Sequence, residues 1–181
     1  MASGRHDRDS VTTLALDLLD RVGLPDLSMR RLAAELEVQP SALYWHFANK
    51  QELLAAVADR ILSRIPQPEP GTGIAEIAVG IRDALLAYRD GAEVVMSTYA
   101  LRLGARRAQD ALQTVVGDSA SADALFEFIL GHSTLVQQRM HAQSIGAATD
   151  IAHDPTEDLD AVFLAGIRAF AAVSAVPDQR S

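Results

Sequence analysis

The stretch Leu27–Lys50, LSMRRLAAELEVQPSALYWHFANK, constrains the chain more than any other. It reads as two short helices joined by a tight turn, with a third helix opening at its end. Ser28 suits the cap of the first helix, because a hydroxyl there accepts a bond from an orphan N–H of the first turn. Leu32 and Leu36, with Ala33 and Ala34, give that helix one apolar face. Leu32, Leu36, Leu43 and Phe47 are expected in the core. Glu37-Val38 leaves room only for a turn. Pro40 falls at the first position of the second helix, expected over Pro40–His46, where a missing N–H costs nothing. A helix of about two turns is marginal alone, so its neighbours must hold it. Asn49 caps the next helix, with Glu52 three residues on as a capping-box partner. Two short helices, the second presented outward, form the helix-turn-helix arrangement that enters a DNA major groove.

Helix breakers divide the remainder. Ser10–Val22 is amphipathic and stops at Gly23 and Pro25. A fourth helix is expected over Lys50–Ile65, stopped by the run Pro66-Gln67-Pro68-Glu69-Pro70-Gly71. That run sets the boundary between domains 1–65 and 66–181. Ile74–Tyr88 follows, then a corner at Asp90-Gly91, a short helix Ala92–Tyr99, and Arg102–Val116, ended by Gly117-Asp118. Ser121 opens a long helix, about Ala122–Gln143. Ile145–Pro155 is a linker, and the last helix runs from Glu157 to Val176. Its apolar face is Val162, Phe163, Gly166, Phe170 and Val173, beside a ridge of Ala161, Ala165, Ala169 and Ala172. No stretch alternates with period two for long enough to be a strand. The fold class is all-α, with roughly nine helices.

Charge alone does not point to nucleic acid. The net charge is −8, and Met1–Lys50 holds six basic residues against seven acidic ones. There is no cysteine, so no disulfide framework and no thiolate metal site. The five histidines are scattered without metal-ligand spacing, and no metal or cofactor is expected. The N-terminus MASGRHDRDS lacks the apolar segment of a signal peptide, and the apolar run Ala161–Val176 is too short to span a bilayer. A cytoplasmic protein without a membrane partner fits these features. No GxxxxGK, HExxH or GxSxG motif is present, and an enzyme is not expected.

Gly23, the run Ser28-Met29-Arg30-Arg31-Leu32-Ala33, and the string Leu43-Tyr44-Trp45-His46-Phe47-x-Asn49-Lys50-x-x-Leu53-Leu54 carry a resemblance. Residues Leu14 to about Ile65 resemble the DNA-binding domain of the TetR family of repressors. One departure is Glu37, where the family usually has glycine, in a turn expected to tolerate other residues. The resemblance implies that Tyr44, Trp45, His46 and Lys50 lie against phosphates, with Ser28 adding a contact from the other side. It implies that Arg30, Gln39, Pro40, Ser41, Ala42 and Tyr44 face bases. Arg30 suits a guanine, Gln39 an adenine, and Pro40 and Ala42 only the methyl groups of thymine. Arg31 is expected to pair with Glu35 at four-residue spacing.

Tyr88-Arg89-Asp90-Gly91-Ala92 and Phe128-Ile129-Leu130-Gly131 resemble landmarks of the regulatory domain of tetracycline repressors. Aligned on the first, the family's metal-binding histidine falls at Val95, a drug-contacting histidine near Pro66, and further drug contacts at Ile77 and Ile81; only Thr98 is kept. Tetracycline–magnesium is therefore not expected to bind. A small hydrophobic or aromatic effector is expected instead, in a cavity lined by Ile77, Ile81, Val95, Thr98, Tyr99, Leu103, Phe128, His132 and Leu135. The resemblance implies a homodimer, with the last two helices forming half of a four-helix bundle. The expected function is a ligand-responsive repressor on a palindromic double-stranded DNA operator. The alternatives are a transcriptional activator and a helical adaptor that has lost DNA binding.

Overall fold

The structure is a computed structural model that describes residues 7–146 and 157–174. Among the described residues there are nine helices and no strand: α1 Arg8–Val22, α2 Met29–Glu35, α3 Pro40–Leu43, α4 Lys50–Leu62, α5 Ile74–Leu86, α6 Gly91–Ala100, α7 Arg106–Val116, α8 Ser119–Ser144 and α9 Glu157–Ser174. The all-α expectation holds. The chain divides into two compact units. One holds the residues up to Ser63 together with Leu85–Ala105, and the other holds Arg64–Ala84 and the residues from Arg106 onward.

In the first unit α1 packs on α4, and α4 on α6. Val11, Leu18 and Leu19 of α1, Leu27, Leu32, Phe47, and Leu53, Val57 and Ile61 of α4 are fully buried. Burying each such large apolar side chain contributes roughly 1.5–3 kcal/mol before chain entropy is set against it. Leu36, expected in the core, is only half-buried, because it is the residue on which α2 closes. Helix α1 starts at Arg8 rather than Ser10. Asp7 is its cap: Oδ1 accepts from the Ser10 N–H at 2.8 Å, and the Ser10 hydroxyl oxygen accepts from the Asp7 N–H at 3.0 Å.

Carboxylates fix both ends of α6. Asp90 lies in the left-handed region at φ 55°, and its Oδ2 accepts from the Leu24 N–H at 2.7 Å. Beside it, Asp20 Oδ1 accepts from the Arg89 N–H at 2.9 Å. A Cβ on Gly91 would stand 2.5 Å from the Leu85 carbonyl oxygen, so this corner requires glycine. At the other end Asp59 Oδ1 accepts from the Ala105 N–H at 3.0 Å. Arg102, Gly104 and Ala105 all have positive φ. That backbone is why α7 begins at Arg106 and not, as its apolar spacing suggests, at Arg102.

In the second unit α8 packs against α7 and α9. Leu112, Leu125, Phe126, Ile129, Phe163 and Ile167 are buried. Helix α8 starts at Ser119, because the cap is Asp118, whose Oδ1 accepts from the Ser121 N–H at 2.8 Å; Ser121 is the third helical residue and not the cap. Helix α4 ends at Leu62, three residues before the expected Ile65, and α5 ends at Leu86, before Tyr88. On α9, Phe163 is buried but Val162 is 54% exposed, and the ridge Ala161, Ala165, Ala169 and Ala172 faces solvent in the single chain. Residues 147–155 of the expected linker Ile145–Pro155, the Val173 side chain and the expected helix end at Val176 lie outside the described residues.

Candidate nucleic-acid interface

The helix-turn-helix is built by three local devices. Ser28 caps α2, its Oγ accepting from the Arg31 N–H at 3.2 Å. The turn after α2 then closes in a Schellman arrangement: Val38 N–H donates to the Ala33 carbonyl at 3.0 Å and Glu37 N–H to the Ala34 carbonyl at 3.2 Å. This closure requires a left-handed residue, and Glu37 supplies it at φ 55°. The turn does accept a non-glycine residue, at a cost of about 1 kcal/mol. Asn49 caps α4, its Oδ1 accepting from the Glu52 N–H at 2.9 Å. The Glu52 carboxylate reaches back one residue further than a capping box requires and accepts from the Ala48 N–H at 3.1 Å.

Helix α3 is shorter than expected. It spans Pro40–Leu43, not Pro40–His46, because the Leu43 carbonyl accepts from both the His46 N–H at 2.9 Å and the Phe47 N–H at 3.0 Å, which tightens the last turn. Leu43 and Phe47 are drawn into the core, while Tyr44 is 52% and Trp45 89% exposed. An indole so far in the open contributes nothing to packing here. Ser28, Arg30, Gln39, Pro40 and Ser41 are exposed, and Ala42, His46 and Lys50 are half-buried. The residues that the sequence assigns to DNA thus share one contiguous part of the first unit, from the start of α2 to the start of α4.

Arg8 is a positioning residue that sequence reasoning missed. Its Nη1 donates to the His46 carbonyl, and its guanidinium stands 4.3 Å from the centroid of the Phe47 ring. It therefore places a positive charge at the carboxyl end of the turn that follows α3, where the exposed carbonyls favour a cation. No local pattern announces this contact, which joins residues 38 positions apart. The expected Arg31–Glu35 pair does not form. Arg31 approaches Asp26 at 3.9 Å, and Glu35 pairs with Arg21 of α1 at 3.2 Å. Long side chains follow the nearest opposite charge in space, and exposed pairs of this kind contribute at most about 1 kcal/mol.

The expected effector residues fall in both units. Val95 and Thr98 of α6 are buried, and Tyr99 and Leu103 are half-buried, in the first unit. The Thr98 hydroxyl is occupied within its own helix, donating towards the carbonyls of Val94 and Val95 at 3.1 and 3.0 Å. In the second unit Ile77 and Ile81 of α5 and His132 of α8 are buried, Phe128 is half-buried and Leu135 is 44% exposed. Of these the structure brings Phe128 and His132 together, with ring centroids 6.3 Å apart. Burial pushes the His132 imidazole below its usual pKa, Arg82 adds to that, and Asp160 opposes it. Among the described residues no three His, Cys, Asp or Glu side chains converge as a metal site, and no helix is long and apolar enough to cross a membrane.

Residues 11–57 match the profile of the tetR family of bacterial regulatory proteins. The class C tetracycline repressor protein of Escherichia coli is 43% identical over 98 residues, 50% of this chain and 45% of that protein. The chain therefore spans under half the length of such curated relatives. Solved structures match over more of their length. BioQ of Mycobacterium smegmatis is 34% identical, with a TM-score of 0.77, over 93% of this chain and 99% of that one. BioQ with its natural double-stranded DNA operator matches at 32% identity and a TM-score of 0.79, over 96% and 100% of the two chains. A single-substitution variant of TetR from Acinetobacter baumannii AYE, in complex with minocycline, matches at 27% identity and a TM-score of 0.70, over 93% and 96%. The profile covers the helix-turn-helix, and a possible TetR family transcriptional regulator of Streptomyces coelicolor A3(2) matches at 30% identity and a TM-score of 0.74, over 92% of this chain and 98% of that one. The chain belongs to the TetR family of bacterial regulatory proteins.

Proposed function

We propose that this TetR-family chain is a repressor that binds a pseudo-palindromic DNA operator as a homodimer in the cytoplasm, and that a small hydrophobic or aromatic molecule releases it. Residues 1–65 are the DNA-binding domain and 66–181 the regulatory and dimerisation domain in this reading. The observation that carries it is the exposed stretch around α3. Trp45, at 89% exposure, and Tyr44 lie in the turn that leads to Lys50 and the capped start of α4, a set of donors suited to phosphate. The solved likeness of BioQ on its own operator supports the same use of these residues.

Direct base reading is sparse. Pro40 and Ala42 have no polar tip, so they sense thymine methyls or exclude a wrong base. Arg30 is the cation suited to bond a guanine through O6 and N7, and a wrong base opposite it costs roughly 1–3 kcal/mol. A two-fold dimer presents its α3 segments about one turn of DNA apart, roughly 34 Å or a multiple. An effector that lowers operator occupancy about a thousandfold must favour the non-binding state by about 4 kcal/mol. Tetracycline–magnesium is a poor candidate, since apolar Val95, Ile77 and Ile81 stand where the family resemblance places its contacts, although a relative of known structure binds minocycline.

Selection of bound duplexes from a random DNA pool at physiological salt tests the reading. The expected result is a pseudo-palindrome with a guanine in each half-site, whose preference at that base is lost in Arg30→Ala. Absence of any enriched sequence, before and after unfolding and refolding to strip a carried ligand, transfers the chain to the adaptor reading.

A further inference from the structure

Among the described residues four buried side-chain polar atoms have no hydrogen-bond partner: Arg82 Nε, His132 Nε2, Ser133 Oγ and Thr134 Oγ1. All four belong to α5 and α8 of the second unit. Two of them border one ring. The Arg82 guanidinium carbon stands 4.8 Å from the centroid of Phe163, and the His132 ring centroid stands 4.8 Å from the same point. Phe128 extends this aromatic surface, stacked on Phe163 with centroids 6.0 Å apart and 5.9 Å from Phe170. Gly166 lets it lie there, since a Cβ would meet Phe128 Cζ at 2.2 Å.

Leaving such groups unpaired in the interior is costly, and most so for a charged one. Arg82 is anchored by an ion pair from Nη2 to Asp160, which is half exposed. Its planar head lies against Phe163, so the direction of the Nε–H bond is fixed before anything binds. His132 is only 7% exposed, and its Nε2 has no partner among the described residues. A fixed guanidinium N–H and an imidazole that donates when its proton sits on Nε2, both beside the Phe163 ring, call for an acceptor carried on an apolar body.

We propose that Arg82 and His132, set against Phe163, anchor the carboxylate of the effector, which makes that effector a monoanionic carboxylic acid with an aromatic or apolar body. The inference rests on the ligand-responsive reading above and narrows its effector class. The bound anion offsets the repulsion between Arg82 and His132 and strengthens the effect of Asp160, the other charged group facing the imidazole from α9. His132 then holds a proton more tightly in the complex than in the free protein. A ligand that raises a pKa binds better at low pH, by about tenfold for each unit of the rise, so affinity weakens as pH climbs through the bound-state value.

Sodium benzoate is the probe, added to the full chain, with benzamide as its neutral isostere. The Arg82 side-chain N–H resonance and the His132 titration are followed by NMR. For a ligand of this size saturation is expected at a Kd on the order of 1 mM. The expected result is that benzoate moves the Arg82 signal and raises the His132 pKa, that benzamide does neither, and that Arg82→Gln abolishes the response. Should that variant fail to fold, His132→Asn carries the same comparison. No movement with benzoate, or equal movement with both probes, overturns the proposal. Operator binding is assayed on the same sample. Operator binding without a benzoate response sinks this inference alone, whereas a benzoate response without operator binding keeps the site and sinks the repressor reading.

Discussion

Glu37 holds a backbone conformation that its side chain resists. It occupies the left-handed position that closes α2, where φ is 55° and two carbonyls of the helix are satisfied by the turn. Glycine adopts that conformation freely, so Glu37→Gly is expected to stabilise the chain by about 1 kcal/mol, less the entropy that glycine adds to the unfolded state. A thermal melt that falls in this variant would mean that the Glu37 side chain contributes more than its backbone costs. The position is legible as a departure from the family pattern; its conformation is not, because a glutamate gives no sign of positive φ. Arg8 is the opposite case. Nothing in its neighbourhood marks it, yet it secures the His46 carbonyl and lies over Phe47. Removing it by Arg8→Ala is expected to weaken operator binding by about 3–30-fold, the equivalent of roughly 0.6–2 kcal/mol for one helix-end charge and one cation–π contact. A gel-shift titration reads this. Unchanged affinity would show that the turn after α3 holds its shape without Arg8.

The helices are legible wherever an apolar period meets a strong stop. Gly23 ends α1, and the proline-rich run marks the end of α4 within three residues of its true close. The starts are less legible, because serines within a first turn imitate caps. Ser10 and Ser121 each sit at the third helical position, with Asp7 and Asp118 as the real caps. The tight end of α3 is invisible in the sequence, since two N–H groups sharing the Leu43 carbonyl leave no trace in the residue pattern. These caps carry a prediction of their own. Hydrogen bonds from the Ser121 backbone and hydroxyl hold the Asp118 carboxyl below its ordinary value of 3.8, against a small opposing effect of burial. A group depressed in the folded state stabilises fully above its unfolded pKa and ceases to do so as pH falls through the folded one. Asp118→Asn keeps an acceptor oxygen for the N–H but cannot titrate. Melting temperature followed from neutral pH down through the carboxylate range is expected to fall less steeply in Asp118→Asn than in the parent chain, and parallel curves would remove Asp118 from the acid response.

At the scale of the whole molecule, the apolar residues left in the open decide what the single chain lacks. Val162 and Leu164 of α9 are 54% and 46% exposed, and Leu135 and Met140 of α8 are 44% and 53% exposed. Scattered exposed leucines are ordinary, but four large apolar side chains on the two last helices, together with the exposed Ala161, Ala165, Ala169 and Ala172, are what the proposed homodimer would bury. Small residues let helix backbones approach closely, and a two-fold interface sets the same patch against itself. A single substitution near such an axis therefore appears twice, once from each side. Ala165→Glu places two carboxylates in one interface, where like charges without partners cost several kcal/mol. Because Ala165 is exposed in the single chain, the fold of each protomer tolerates the change. The expected outcome is a monomer by sedimentation at concentrations where the parent chain is a dimer, with helical content retained. Operator affinity should fall with it, since one head loses the benefit of its partner on the second half-site. An unchanged dimer would remove this face from the assembly and require another surface to bring the two helix-turn-helix segments onto one operator.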